Sequence, residues 1–361
     1  MTAGAGDIDD SALRSATVGA IGERAMIAAF TAQASAAGPA RDIVIGSGDD
    51  AAVVDTRGAT VISTDTAVEG RHFRFDWSRA RDVGARAIVQ SAADIAAMGG
   101  RTTGVVVSIA APPSTPVGTL LDLNAGMVDA THLLGARLLG GDLVAAGQVV
   151  VSVTAVGAMD GRAPVALGGA RPGDVLAVSG RLGACAAGLA VLSSDRPADV
   201  ERWPDLVAAH RVPTPDLAQG PIAAARGAHA MTDISDGLVE ELITMSQASG
   251  TQMSVDSSRV PRSDRVTALA AEWGVDVAEW VLAGGEDHEL LGAFAAEDVP
   301  DGWTVIGAVL PGGDNTAGDE QGGDVLIDGR PLHVPDGPRL RGWEGFAGDT
   351  TGRRCRTTPG D

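Results

Sequence analysis

The sequence predicts a two-domain protein of the α/β class, its helices and strands mixed as in α+β folds, and three observations point there. With 361 residues, the chain fills about two domains of roughly 150 residues, each long enough to bury a core. Short apolar runs enriched in β-branched residues alternate with longer stretches of helical spacing. A segment dense in Gly and Pro, GRAPVALGGARPG at 161–173, interrupts the alternation, and a second set of runs follows it.

Strands are expected at Ile43–Ile45, 51–54, 60–63, 104–110 and 149–156. Helices are expected at 81–98 and at 116–138, where Leu120, Leu123, Met127, Val128, Thr131 and Leu134 recur at helical spacing. The boundary falls near residue 161, giving domains 16–161 and 162–347. The second holds a strand at 175–179, helices at 185–192 and 237–248, and strands at 289–294 and 304–309. The stretch 311–324, PGGDNTAGDEQGGD, is too polar to be buried and reads as a mobile hairpin loop; 1–15 and 348–361 read as disordered ends.

The 47 acidic residues outnumber the 27 basic ones, for a net charge of −20. Such a field repels a phosphate backbone, so nucleic acid is not an expected partner. Every Lys+Arg position is an arginine, which excludes a Walker-A loop, a protein-kinase strand lysine and a Schiff base. Cys185 and Cys355 suggest neither a disulfide framework nor a thiolate zinc site, which fits a reducing cytoplasm. The N-terminus lacks the basic start and apolar run of a signal peptide, and Gly or a charge soon breaks every apolar stretch, so neither secretion nor a membrane span is expected. With no tyrosine and 3% aromatic residues, the cores must be built from Ala, Val, Leu and Ile. There is no H-E-x-x-H or G-x-S-x-G motif, and the histidines are scattered, which sets aside zinc hydrolases and serine esterases.

The chemistry concentrates in acidic loops. Gly46-Ser47-Gly48-Asp49-Asp50-Ala51 superficially matches a dinucleotide fingerprint, but strand, turn and strand follow it, not the helix that would receive a pyrophosphate. Two bare carboxylates repel phosphate unless magnesium intervenes, because hard cations take carboxylate oxygens and hold phosphate oxygens on their open positions. An Asp-rich surface turn is the alternative for this motif by itself. Yet the pattern recurs: Ser63-Thr64-Asp65 ends a strand, Gly140-Gly141-Asp142 precedes one, and Asp233-Ile234-Ser235-Asp236-Gly237 opens a helix. Asp94 joins them by helical geometry, since Arg86, Gln90 and Asp94 stand at i, i+4 and i+8 on one face. Carboxylates beside Gly and hydroxyl residues at element ends lie where functional loops are found, and a shared multi-metal phosphate site is expected. Ser235 can offer a hydroxyl and an N–H to phosphate, while Asp236 alone could be an N-cap. In Gly284-Gly285-Glu286-Asp287-His288-Glu289-Leu290, Glu286 is expected to bind ligand and His288 to pack.

GDDAAVV, STDTAVEGRHF, ADIAAMGG, LLGGD, MTDISDGL and GGEDHEL stand in this order between residues 40 and 346, and in this the chain resembles the thiamine-monophosphate kinase family. Its superfamily includes aminoimidazole ribonucleotide synthetase, selenophosphate synthetase and a hydrogenase maturation factor, which share a two-domain α/β fold and the use of ATP. The resemblance implies an aminoimidazole ribonucleotide synthetase-like fold and a homodimer whose N-terminal sheets pair. It also implies ATP and several Mg2+ ions in a cleft between the domains, and conversion of thiamine monophosphate to thiamine diphosphate with release of ADP. Carried over residue by residue, it places metal ligation on Asp50, Ser63, Thr64, Asp65, Asp94, Asp142, Asp233 and Asp236. Of these, metal-bound Asp50, Asp65, Asp142 and Asp236 would carry the chemistry, without a covalent nucleophile. Nucleotide contacts fall on Gly141, Asp142 and Ser235, and substrate contacts on His72, Glu286 and Trp343.

This accords with the acidic loops. Phosphoryl transfer between two phosphates gathers many negative oxygens, so metal ions must neutralise them and align the displacement. The acceptor is already ionised, and no strong general base is needed. Two departures from the family pattern bear on nucleotide affinity. The arginine common before the Ala170-Arg171-Pro172-Gly173-Asp174 turn is missing, with Arg162 and Arg171 as candidates to replace it, and Ser91 stands where an Asn is common. The alternatives are another ATP-dependent enzyme of the superfamily, with different residues at 72, 286 and 343, and a non-catalytic Ca2+-binding or interaction protein. No D-x-[DN]-x-[DN]-G loop supports the latter.

Overall fold

The computed structural model describes residues 10–36, 38, 41–46, 51–56, 58–194, 196–312 and 325–332. Asp50, Trp343, residues 1–9 and the tail 348–361 lie outside the described residues. Helices α1 (Asp10–Ser15), α2 (Val18–Ile21) and α3 (Glu23–Ala36) come first, so residues 10–15, expected to be disordered, are helical. A small antiparallel pair follows, β1 (Ile43–Ile45) with β2 (Val53–Val54).

The first large unit runs β3 (Thr60–Val68), α4 (Ala80–Ala97), β4 (Arg101–Ala111), α5 (Val117–Leu133), β5 (Arg137–Ala145) and β6 (Val150–Ala158). Its four strands lie in the order β3-β6-β4-β5, with only β4 and β5 parallel, joined by the α5 crossover. Alternation along the strands buries Val105, Val107, Ile109, Val151 and Val153 under α4 and α5. The opposite face is open, leaving Ile62 64%, Val106 37% and Val144 48% exposed.

Two expectations are corrected here. Ser63-Thr64-Asp65 lies inside β3, not at the end of a strand. Thr64 and Thr66 pair their hydroxyls with Thr154 and Ser152 on the open face, so polar residues do not interrupt the ladder. The helix expected to reach 138 stops at Leu133, Gly135 turns the chain with φ 70°, and β5 absorbs Gly140-Gly141-Asp142. A Cβ on Gly141 would come within 2.0 Å of the Val107 carbonyl oxygen, so glycine here permits the approach of β5 to β4.

The second unit contains β7 (Val175–Val178), α6 (Ala184–Leu192), α7 (Pro197–Arg202), α8 (Pro204–Arg211), α9 (Gln219–Arg226) and β8 (Ala230–Asp233). It continues with α10 (Leu238–Ser249), β9 (Thr251–Val255), α11 (Asp264–Trp273), α12 (Val277–Leu282), β10 (Leu290–Phe294), β11 (Thr304–Pro311), β12 (Val325–Ile327) and β13 (Arg330–Pro331). Its strands form one seven-stranded sheet, β13-β12-β9-β11-β7-β10-β8. Because β11 and β12 flank β9 on opposite sides, the segment between them does not close a hairpin as expected. Its residues 313–324 lie outside the described ones.

Helix α4 belongs to both units. It packs on α5 and β3 and also touches β8, α8 and α9. Ala96 and Ala97 at its end share a buried cluster with Ala177, Ala223, Met231, Phe294 and Trp303 of the second unit. No helix among the described residues is long and apolar enough to cross a membrane.

Candidate active site

Strand β3 and helix α4 supply one bank of the site. Period-two alternation puts Ser63 and Asp65 on the α4 side of the sheet. Ser63 Oγ donates to Asp94 Oδ2, and Ser91 hydrogen-bonds Asp65. Burial first, then Asp233 and Asp65, push the Asp94 carboxyl up to about 7. Asp65 is likewise raised by burial, with Asp233 and Glu286 adding to it. These carboxylates face one another without enough positive charge to satisfy them all.

The second bank is the turn after β8. Asp233 ends that strand, and α10 begins at Leu238 with Gly237, at φ 111°, as its N-cap, so Asp236 is not the cap. Glu241 ties the turn down instead, accepting from Asp236 N at 3.2 Å and Ser235 Oγ at 3.4 Å. The Glu286–His288 segment braces it from behind: Glu286 N donates to Ser235 O at 2.7 Å and His288 N to Ile234 O at 3.0 Å. Both residues sit in the left-handed region, with φ 70° and 54°, a strain that this bonding sustains. Asp236 is raised by burial and by Glu286 and Asp233. A cavity of about 290 Å³ opens between the banks, lined by Ser63, Asp94, Met98, Leu167, Thr232 and Asp233.

His288 is buried, as expected, and it also pairs with two carboxylates. Its Nδ1 lies 2.9 Å from Asp233 Oδ2 and its Nε2 3.3 Å from Glu286 Oε2. Burial opposes its charge, but hydrogen bonds to both carboxylates prevail and hold the imidazole up at about 10. Glu286 is held through one of its two carboxylate oxygens. Arg86 lies 2.7 Å from its Oε2, and Gln90 Nε2 donates to the same oxygen at 2.7 Å. Burial would raise this carboxyl; Arg86 and His288 hold it well below the usual carboxylate range. His72 lies within electrostatic reach of Glu286, its imidazole lowered by burial against that carboxylate's pull.

The structure thus brings together Ser63, Asp65, Asp94, Asp233, Asp236, Glu286 and His72, with Ser235 on the same turn. It leaves three candidates apart. Thr64 points to the open face, 3.1 Å from Thr154 Oγ1. Gly141 and Asp142 lie on edge strand β5, three strand spacings, or about 14 Å, from β3. Asp142 shares the open face with Ser108, Ser152 and Thr66. Of the candidate arginines, Arg162 donates to Gly99 O at 3.4 Å, and Arg171 lies 3.1 Å from His229 Nε2. Among the described residues, no three acidic, His or Cys side chains are gathered tightly enough to hold a metal ion by themselves. Two facing banks of incompletely compensated carboxylates nevertheless suit Mg2+, which takes one or two protein carboxylates and completes its shell with water and phosphate oxygens.

Similarity to known proteins follows the same lines. Residues 48–159 match the AIR synthase related protein N-terminal domain and residues 171–320 its C-terminal domain. A thiamine-monophosphate kinase of Mycobacterium tuberculosis is 44% identical over 308 residues, 85% of each chain. The chain belongs to the thiamine-monophosphate kinase family. The member from Corynebacterium glutamicum is 40% identical over 305 residues, covering 83% of this chain and 89% of the relative. The solved structure of AaThiL complexed with AMPPCP and TMP superposes with a TM-score of 0.71 at 28% identity, over 80% of this chain and 87% of the other.

Proposed function

We propose that this chain transfers the γ-phosphoryl group of ATP directly to thiamine monophosphate in the cytoplasm, giving thiamine diphosphate and ADP. The observation that carries this reading is the cavity between the banks, lined by Asp94 from the first unit and Asp233 from the second, with Asp65 and Asp236 each within electrostatic reach of Asp233. Asp50, outside the described residues, is a further proposed ligand on its sequence pattern. Mg2+, when bound, neutralises phosphate oxygens and aligns the displacement. Asp65, Asp94, Asp233 and Asp236 would hold it, Ser63 orients Asp94, and Ser235 offers its hydroxyl and N–H to a phosphate. His72, Glu286 and Trp343 take the thiamine moiety. Among the described residues, the three donors to Glu286 converge on Oε2, which leaves Oε1 to meet substrate.

The homodimer completes this reading. The open face of the first sheet, with Ile62, Val106 and Val144 exposed, is where two copies pair. Thr64 and Asp142 lie on that paired side and act from it, while Gly141 keeps β5 close against β4. In domain terms, residues 16–161 carry the nucleotide, metal and pairing functions, and 162–347 the DISDG and GGEDHEL turns.

Incubation with ATP, Mg2+ and thiamine monophosphate tests the reaction, with thiamine diphosphate and ADP expected in equal amounts. ATP hydrolysis without thiamine diphosphate would overturn it, and a phosphoenzyme trapped with ATP alone would exclude direct transfer.

A further inference from the structure

We propose that Arg86 is a positioning residue that sets the spacing of the phosphate cleft, by clamping Glu286 of the second unit onto helix α4 of the first. The proposal rests on the phosphoryl-transfer reading above and assigns a task to a side chain that touches neither substrate nor metal in it.

Arg86 is 5% exposed, and its guanidinium spans two elements of the other unit. It meets Glu286 Oε2 at 2.7 Å, and Nη1 donates to the His210 carbonyl of α8 at 2.8 Å. One turn along the same helical face, Gln90 binds the same Glu286 oxygen at 2.7 Å. A further turn along, Asp94 interacts electrostatically with Asp233. A single row of α4 side chains therefore both grips the second unit and presents a carboxylate to it. The grip continues inward. Glu286 Oε2 meets His288, whose other nitrogen holds Asp233, so Arg86 is linked through two intervening side chains to an aspartate of the opposite bank.

Charge balance alone does not account for this arrangement. Among the described residues, Arg86 Nε is buried without a hydrogen-bond partner, a cost that an apolar side chain of the same length would avoid. The guanidinium's advantage is directional: its planar fork fixes Glu286 and the His210 carbonyl at once, which an ammonium cannot do. Metals and phosphates that bridge two banks of carboxylates need those banks held to a fraction of an ångström, and a displacement of about 1 Å costs on the order of 100-fold in rate.

The test compares Arg86→Met, Arg86→Lys, Glu286→Gln and the double variant Arg86→Met/Glu286→Gln by melting temperature, kcat, KM and the Mg2+ concentration giving half-maximal rate. Calorimetric titration with Mg2+ and AMPPCP supplies a readout that needs no turnover. Arg86→Met should lower kcat on the order of 30-fold or more and raise the Mg2+ midpoint about tenfold. Arg86→Lys should recover part of kcat. In the double variant the stranded carboxylate is gone, so melting temperature should return toward that of Glu286→Gln while the Mg2+ midpoint stays raised. Recovery of both together would mean that Arg86 only balances charge, and a wild-type Mg2+ midpoint in Arg86→Met would also overturn the proposal. Should Arg86→Met not fold, Arg86→Lys against Glu286→Gln decides by the same midpoint. A wild-type chain that makes no thiamine diphosphate, yet whose Mg2+–AMPPCP binding weakens in the Arg86 variants, would remove the reaction and leave the clamp.

Discussion

Buried ionisable side chains here stay charged where counter-charges reach them, and a residue denied a counter-charge is held toward its neutral form. His210 is 6% exposed, and burial first, then the Arg86 charge, push its imidazole down to about 3 from 6.5. Between those values the unfolded chain binds a proton that the folded chain refuses. Its contribution to stability is therefore complete above about pH 6.5 and is lost as pH falls toward 3. Urea midpoints should drop as pH is lowered from about 7 to about 4.5, and the drop should be shallower in His210→Gln. Identical slopes in the two proteins would place the acid sensitivity elsewhere. Local pattern exposes single residues well, and Glu286 stands out in a Gly-acid turn. Its partner Gln90 lies 196 positions away, and nothing in either neighbourhood encodes the meeting. His288 looked apolar by its neighbours because its two carboxylates come from different turns.

Among the elements, α4 was the most legible, since eighteen residues of regular period leave little choice of boundary. Strand β8 was the least: four residues, AMTD, end in the aspartate that suggested a helix start. Strand β5 was hidden for a related reason, as its paired glycines look like a turn until a neighbouring strand is placed against them. The tight seat of α4 gives the element-scale prediction. Gly220 on α9 has no room for a side chain, because a Cβ there would stand 2.1 Å from the Ala96 carbonyl oxygen. Gly220→Ala should therefore cost about 1–3 kcal/mol of unfolding free energy through overpacking. Denaturant titration measures this, and a loss below about 0.5 kcal/mol would show that α9 can slide away freely.

At the scale of the whole molecule, a chain of this length matching two successive family domains invites the expectation of two independent melting steps. The shared cluster around Ala96, Ala97, Phe294 and Trp303 and the buried Arg86–Glu286 pair argue otherwise. Differential scanning calorimetry should show one transition whose calorimetric and van't Hoff enthalpies agree, and two resolved peaks would contradict the coupling. Because α4 lends side chains to both cores, covalent continuity and structural continuity part company in this protein. A protease that nicks the Gly- and Pro-rich segment 161–173 would cut the polypeptide without dividing the particle. The fragments would still elute together, each carrying the other's missing wall, until denaturant separated them.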